Sequence, residues 1–354
     1  MGTLMSTFFP RLDGLRAFAV VAVMVHHWHQ PTILGRELPL GFIGVQLFFV
    51  LSGFLIGGIL LRSQERNELE GTSQAFTLRQ FIIRRAIRIF PAYFLFLLAT
   101  GVLLGAPDKE WWWYPLYLGN FRTLETGVWP GYWAHTWSLA VEEQFYLFAP
   151  LLVLFLRRKS FCMALPALIV ASAFFILATP ASAGTALVPP KAFYGLLLGV
   201  GLALLTERAT ISTLVRRTCP IAAIASGSAA FVLELHDGRL FSVIAPIAFG
   251  SLVLWATGSG PAGRFLEWKP LMHLGGLAYG LYLWHMPVET MWGRLGLPTL
   301  ANSWVVFVMF SVFTYTLAWL SWTLLEKPLN RHKNAFPYHR SAVNLPAQAQ
   351  PAIR

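Results

Sequence analysis

From Gly41 to Leu61 the chain reads GFIGVQLFFVLSGFLIGGILL, without one Asp, Glu, Lys or Arg. At about 1.5 Å per helical residue such a run is roughly 30 Å long, the thickness of a bilayer's hydrocarbon core. Apolar runs of this kind recur along the chain. The 354 residues are 56% hydrophobic and 15% aromatic but only 12% charged, against roughly 25% charged for a soluble domain. That leaves too little polar surface to cover a soluble globule of this size. An unpaired backbone amide in lipid is too costly for loops or open sheets, so the spans are expected to be helices. The sequence therefore predicts an all-α integral membrane protein of about ten transmembrane helices, multi-pass in the cell (inner or plasma) membrane.

The expected spans are Leu15–Gln30, Phe42–Leu61, Ile89–Gly105, Ser138–Leu156, Phe161–Ala178, Ala192–Leu205, Pro220–Leu235, Phe241–Ala256, Leu271–Glu289 and Ser303–Leu325. With a cytoplasmic N-terminus, 21 of the 27 lysines and arginines fall in inside segments; that asymmetry predicts both termini cytoplasmic. It also explains the net charge of +11 as membrane orientation, so no nucleic-acid partner is expected. No removable signal sequence is expected ahead of the first span. Cys162 and Cys219 sit near proposed cytoplasmic ends of different spans, which implies neither a disulfide framework nor a metal site. Residues 1–330 read as one transmembrane domain. The polar stretch 331–354, with Pro337, Pro346 and Pro351, reads as a disordered cytoplasmic tail. Trp111, Trp112, Trp113 and Tyr114 suit an outer interface, and the aromatic stretch from there to Thr136 is expected to fold back toward the membrane.

Ionisable residues within apolar spans are costly and mark function. Arg16 and His27, eleven residues apart, lie close to three helical turns from one another and share a face about 16 Å long. Asp13 is placed to pair with Arg16; snorkelling of Arg16 and end-capping by His27 are the structural alternatives. Ser52 and Gly53 form a notch among large side chains, which helix packing explains as well as substrate contact does. Arg84, Arg85 and Arg88 share one helical surface at the expected cytoplasmic boundary. Their guanidinium forks suit phosphate oxygens, with positive-inside anchoring as the plainer reading. Glu142 and Glu143 stand well inside an apolar stretch that runs to Leu156, too far in for so short a side chain to snorkel. One of them is expected to orient His27. Tyr282 and His285, three apart, share a face just before Pro287, which is expected to end or kink that helix. No phosphate-cradling glycine loop, zinc-protease helix or nucleophile-elbow serine occurs.

These blocks together resemble the acyltransferase type 3 family of multi-span membrane proteins. The matching stretches are Arg11–Arg16 with His27, Phe48–Phe54, Arg84–Tyr93, Trp137–Tyr146 and Tyr279–His285, in the family's order and followed by Glu326-Lys-Pro328. The resemblance implies a ten-helix fold that transfers acyl groups, commonly acetyl, to hydroxyls of surface sugars. It also implies that Arg16, His27, Arg85 and Arg88 match functional motifs. Some members carry an additional extracytoplasmic hydrolase-like domain, which this chain is expected to lack.

The expected activity is that of an acyltransferase moving groups other than amino-acyl groups. No permanent cofactor and no metal are expected. A cytoplasmic acetyl-CoA or other acyl-CoA is the donor, docking on Arg85 and Arg88, and a surface or lipid-linked carbohydrate is the acceptor. His27, Glu142, Glu143 and Arg16 form the expected catalytic set. Asp13, Ser52, Gly53, Trp137, Tyr282 and His285 join the two arginines in substrate binding. Membrane lipid and glycan-assembly proteins are the further expected partners. The rival reading is a transporter or flippase for a lipid-linked glycan, using the same charged face as its path; the inverted repeats common in transporters are not visible in the sequence.

Overall fold

The computed structural model describes residues 9–33, 36–179, 187–208, 238–258, 260–297 and 303–338, with scattered positions between 218 and 228. Its long helices are α1 (Pro10–Trp28), α2 (Leu40–Glu70), α3 (Gln74–Leu104), α5 (Thr136–Phe155), α6 (Arg158–Ala178), α7 (Pro189–Arg208), α8 (Gly238–Ala256) and α12 (Ser303–Ser321). Shorter ones are α4 (Gly119–Thr126), α9 (Lys269–Gly276), α10 (Ala278–Trp284), α11 (Pro287–Arg294) and α13 (Lys327–Arg331). A two-residue antiparallel pairing, Thr32–Ile33 with Arg36–Glu37, links α1 to α2.

Among the described residues, seven helical segments are long and apolar enough to cross a membrane. They correspond to seven of the ten expected spans, and the other three part ways with the expectation for separate reasons. The first, α1, carries Arg11, Asp13 and Arg16 in its first two turns, yet Leu12, Leu15, Val20 and Val23 are buried in the centre of the bundle. The seventh, Pro220–Leu235, lies outside the described residues apart from isolated positions. The ninth is not one span but α9, α10 and α11, broken after Gly276 and again at Pro287, where the proline opens α11.

α2 runs through the middle, packed most extensively on α7 and then on α1. Glycines make the α2–α7 crossing possible. A Cβ on Gly53 would strike the backbone carbonyl of Leu196, and one on Gly199 would strike the backbone of Val50. The two helices therefore meet backbone to backbone, as small residues permit in membrane bundles.

The segment between α3 and α5 folds back on both helices, as its aromatic content predicts. Tyr114, Tyr117 and Trp133 are buried; Tyr93 donates to the Tyr114 carbonyl (2.9 Å) and Trp133 Nε1 to Thr100 Oγ1 (2.8 Å). Trp112 and Trp113 stack with ring centroids 4.6 Å apart. Arg122 Nε donates to Asp108 Oδ2 at 3.0 Å and Tyr114 donates to the same oxygen. The Arg122 guanidinium thereby holds the Asp108 carboxyl below the usual carboxylate range.

Past the boundary expected at residue 331 the described chain continues. After a π-helical turn, Trp322–Glu326, and α13, residues His332–Ala335 form a 3₁₀ turn and the chain stays packed on α3 through Tyr338. Composition missed this because the anchoring contacts are made by carbonyl groups and one aromatic ring, which a polar tally does not register. Residues 339–354 lie outside the described residues.

Candidate active site

One cavity of about 230 Å³ opens between α1, α2, α3, α5 and α10. Arg16 reaches it from α1, Ser52 from α2, Arg85 and Arg88 from α3, Glu142 and Glu143 from α5, and Tyr282 from α10. Seven residues singled out in the sequence, carried on five separate helices, therefore line one chamber. Ser138, Tyr146 and Tyr279 add hydroxyls, and the apolar wall comes from Val45, Phe48, Leu55 and Ile59 on α2 and Ile89 on α3.

The polar groups fall into an order along the cavity. Arg16 donates to Asp13 Oδ1, so the expected pair forms, with Asp13 behind Arg16 rather than on the wall. Asp13 is fixed in turn by the close docking of α9: a Cβ on Gly275 would overlap the Asp13 carbonyl. Arg85 lies over the rings of Phe81 and Tyr146 at 5.4 and 5.6 Å, a cation–π arrangement. Its buried Nε has no hydrogen-bond partner among the described residues, and neither has Oε1 of Glu143. Buried polar atoms left in this state are costly and mark places where a ligand completes the bonding. Ser52 Oγ and the Tyr146 hydroxyl are 2.7 Å apart. At the far end the Tyr282 hydroxyl meets Ser138 Oγ at 2.6 Å and donates to the His135 carbonyl at 3.2 Å.

Beyond Tyr282 stands a histidine cluster. The ring of His285 lies 5.5 Å from that of Tyr282, 5.0 Å from His135 and 5.1 Å from His27. His285 and His135 are buried, whereas His27 is exposed at the end of α1 and does not line the cavity. His285 Nδ1 sits 2.7 Å from the Tyr282 carbonyl. A carbonyl can only accept, so Nδ1 carries the proton and Nε2 presents its lone pair. That Nε2 is buried and has no hydrogen-bond partner among the described residues.

Several sequence expectations change here. The glutamates do not orient His27: they stand in the cavity with the arginines, while His135 and His285 are the groups against His27. The reason is axial position, since Glu142 is seven residues, about two turns, below His135 on the same chain segment. Gly53 faces α7 and is a helix-packing residue, not a substrate contact. Trp137 packs edge-on to Phe49 (6.1 Å, 90°) and stays off the cavity wall. Arg84 likewise turns away from its neighbours and bonds to the carbonyls of Lys333 and Phe336. Ser138, Tyr146, Tyr279 and His135 were not among the expected site residues. For two of them a signal existed: Ser138, Glu142 and Tyr146 recur every four residues, a single helical face.

Comparison with known proteins identifies the family. A family profile described as an acyltransferase domain matches residues 9–323. The peptidoglycan O-acetyltransferase OatA of Listeria monocytogenes is 31% identical, over 93% of this chain and 56% of its own length. The O-acetyltransferase OatA of Staphylococcus aureus is 26% identical, over 92% of this chain and 57% of its own. The chain thus spans little more than half the length of these curated relatives. No solved structure matches it. With the motif residues gathered in one cavity and the profile covering nearly the whole chain, the protein belongs to the acyltransferase type 3 family.

Proposed function

We propose that the protein is a membrane O-acyltransferase that moves an acyl group, acetyl in the first instance, from a cytoplasmic acyl-CoA to a hydroxyl of a surface or exported carbohydrate. The observation that carries this reading is the polarity of one continuous site. Arg85 and Arg88 stand at one end of the cavity, Tyr282 closes the other, and the histidines lie immediately behind Tyr282. The names of the relatives support a cell-wall or related surface glycan as acceptor.

In this reaction the donor's phosphates dock on Arg85 and Arg88, whose planar forks match phosphate oxygens. The pantetheine arm lies along the apolar wall and brings the thioester toward Tyr282. His27, exposed at the other side of the histidine cluster, takes the proton of the acceptor hydroxyl as its oxygen attacks the thioester carbonyl. The carbon–sulfur bond breaks, the sulfur leaves as thiolate and picks up a proton, and the product is an ester. A neutral imidazole suits the task because its unprotonated nitrogen has a lone pair to accept that proton. Glu142 and Glu143 balance the arginines inside the cavity and so keep an empty site from carrying a net buried charge.

The test is release of free CoA thiol from acetyl-CoA by the purified protein, with a pool of surface glycans as acceptor. The expected result is release by the wild type and a fall of at least about a hundredfold for His27→Ala and for Arg85→Ala, at unchanged folding. Wild-type activity retained in His27→Ala would remove the histidine from the mechanism. Acetylated glycan formed without thiol release would assign the acetyl group to a different donor.

A further inference from the structure

The segment that follows α13 returns to the basic end of the cavity and is fastened there. Arg84 Nη1 donates to the Lys333 carbonyl at 2.6 Å and to the Phe336 carbonyl at 3.1 Å, and the Arg84 guanidinium lies 4.8 Å over the Tyr338 ring. Thr77 Oγ1 adds a contact to the Tyr338 carbonyl at 3.4 Å. Of the clustered arginines Arg84, Arg85 and Arg88 on α3, one is thus spent on holding a strap, and the strap brings a new cation in its place. Lys333 is half-buried and within electrostatic reach of Arg84, Arg85 and Arg88, with Glu326 the one opposing charge that acts on it.

Glu326 is itself committed, buried at the end of the π-helical turn and accepting from Ser321 Oγ at 3.0 Å. None of Arg85, Arg88 and Lys333 takes part in an ion pair among the described residues. Glu142 and Glu143 offset Arg85 and Arg88 inside the cavity, which leaves Lys333, with Glu326 alone acting against it, as the cation that an anion would complete. The size of the cavity says which part of a ligand that anion belongs to. At about 230 Å³ it is smaller than the roughly 300–1,000 Å³ of pockets that enclose a drug-sized molecule. A nucleotide-bearing thioester would place its arm inside and leave its phosphorylated end on the side of Arg85 and Arg88, within electrostatic reach of Lys333.

We propose that Lys333, carried by the strap 332–338, is a third phosphate-binding cation that acts with Arg85 and Arg88 on the nucleotide end of the donor. This rests on the acyl-CoA reading above. The ammonium contributes a point charge to a phosphate, while Arg84 fixes the backbone that carries it.

The experiment uses the full chain in detergent or nanodiscs and two readouts: equilibrium binding of CoA itself, and thiol release from acetyl-CoA compared with S-acetylpantetheine, which has no phosphates. Lys333→Gln is expected to weaken CoA binding and raise KM for acetyl-CoA about tenfold, the usual scale for losing a charge-assisted contact. kcat should hold, turnover of S-acetylpantetheine should not follow the loss, and Lys333→Arg should recover most of the affinity. If wild type binds CoA and Lys333→Gln binds it equally well, the inference is overturned and the donor reading stands. An equal loss on both thioesters would reveal a structural role and overturn it too. A wild type that neither binds CoA nor releases thiol overturns both, the donor reading first.

Discussion

His285 shows how one backbone contact decides what a side chain can do. Its Nδ1 proton is committed to the Tyr282 carbonyl, so the basic nitrogen is Nε2, and that atom is buried beside His27 and His135. A tautomer fixed in this way makes His285 the natural partner for a proton held on His27. His285→Ala should lower acyl transfer by roughly 10²–10⁴-fold, the range for removing a group that handles the proton in the transition state. Rate against a fixed donor concentration, with thermal melting as the folding control, checks it. An activity within threefold of wild type would leave His285 a packing residue. At this scale the sequence was informative where partners share a helix: Asp13 with Arg16 and Tyr282 with His285. Partners on different helices were out of reach. Glu142 and Glu143 were therefore matched to His27, when the structure gives them to Arg85 and Arg88.

Elements are held in place by two contrasting devices, close backbone contact inside the bundle and ionic stapling outside it. The loop between α3 and α5 is stapled by Arg122, which reaches Asp108, Glu110 and Glu125. Because the folded-state pKa of Asp108 is depressed, chiefly by its hydrogen bond from Arg122, the stabilisation is present above the ordinary carboxylate pKa. It is lost as pH falls through the lowered value. Acid should therefore loosen this loop, and by a modest amount, since ion pairs near solvent are weak. Measured as melting temperature against pH, Asp108→Asn should flatten the acid limb relative to wild type; parallel limbs would exclude Asp108 as the titrating group. The sequence foretold that this loop folds back, from its aromatics, but not its staple, because Asp108 lies fourteen residues before Arg122, outside the helix α4 that carries it. It foresaw the break at Pro287 and missed the one after Gly276. A proline carries its restriction into any context, whereas a glycine breaks a helix only where the surroundings ask for it.

Taken whole, the molecule has two chemically distinct regions, the arginines of the cavity and the exposed His27, and the positive-inside rule predicts their sidedness. Val128, 68% exposed in the loop after α4, and Leu69, 75% exposed at the far end of α2, report on the two faces. With Cys162 and Cys219 replaced by Ser, a membrane-impermeant thiol reagent should label Val128→Cys in intact cells and Leu69→Cys only after permeabilisation. The reverse pattern would turn the arginines outward and end the case for a cytoplasmic donor. Span length and charge bias were legible at this scale because lipid imposes them on every segment alike. The number of crossings was less so, since α1 is buried despite three charges and the ninth run is three pieces.

The Tyr282–Ser138 hydrogen bond closes the chamber against the histidines. With the donor on one side of the membrane and the acceptor on the other, as proposed above, the enzyme would work inside an electrical insulator, where each elementary charge that slips through dissipates about 2.3 kcal/mol per 100 mV. A hydroxyl pair between the chamber and the histidines would act as a septum: the uncharged thioester carbonyl can be met there by the acceptor, while a continuous file of water, and the proton leak that would follow, is interrupted. Opening that seal with Tyr282→Ala would thus harm the cell's energy supply as well as the reaction.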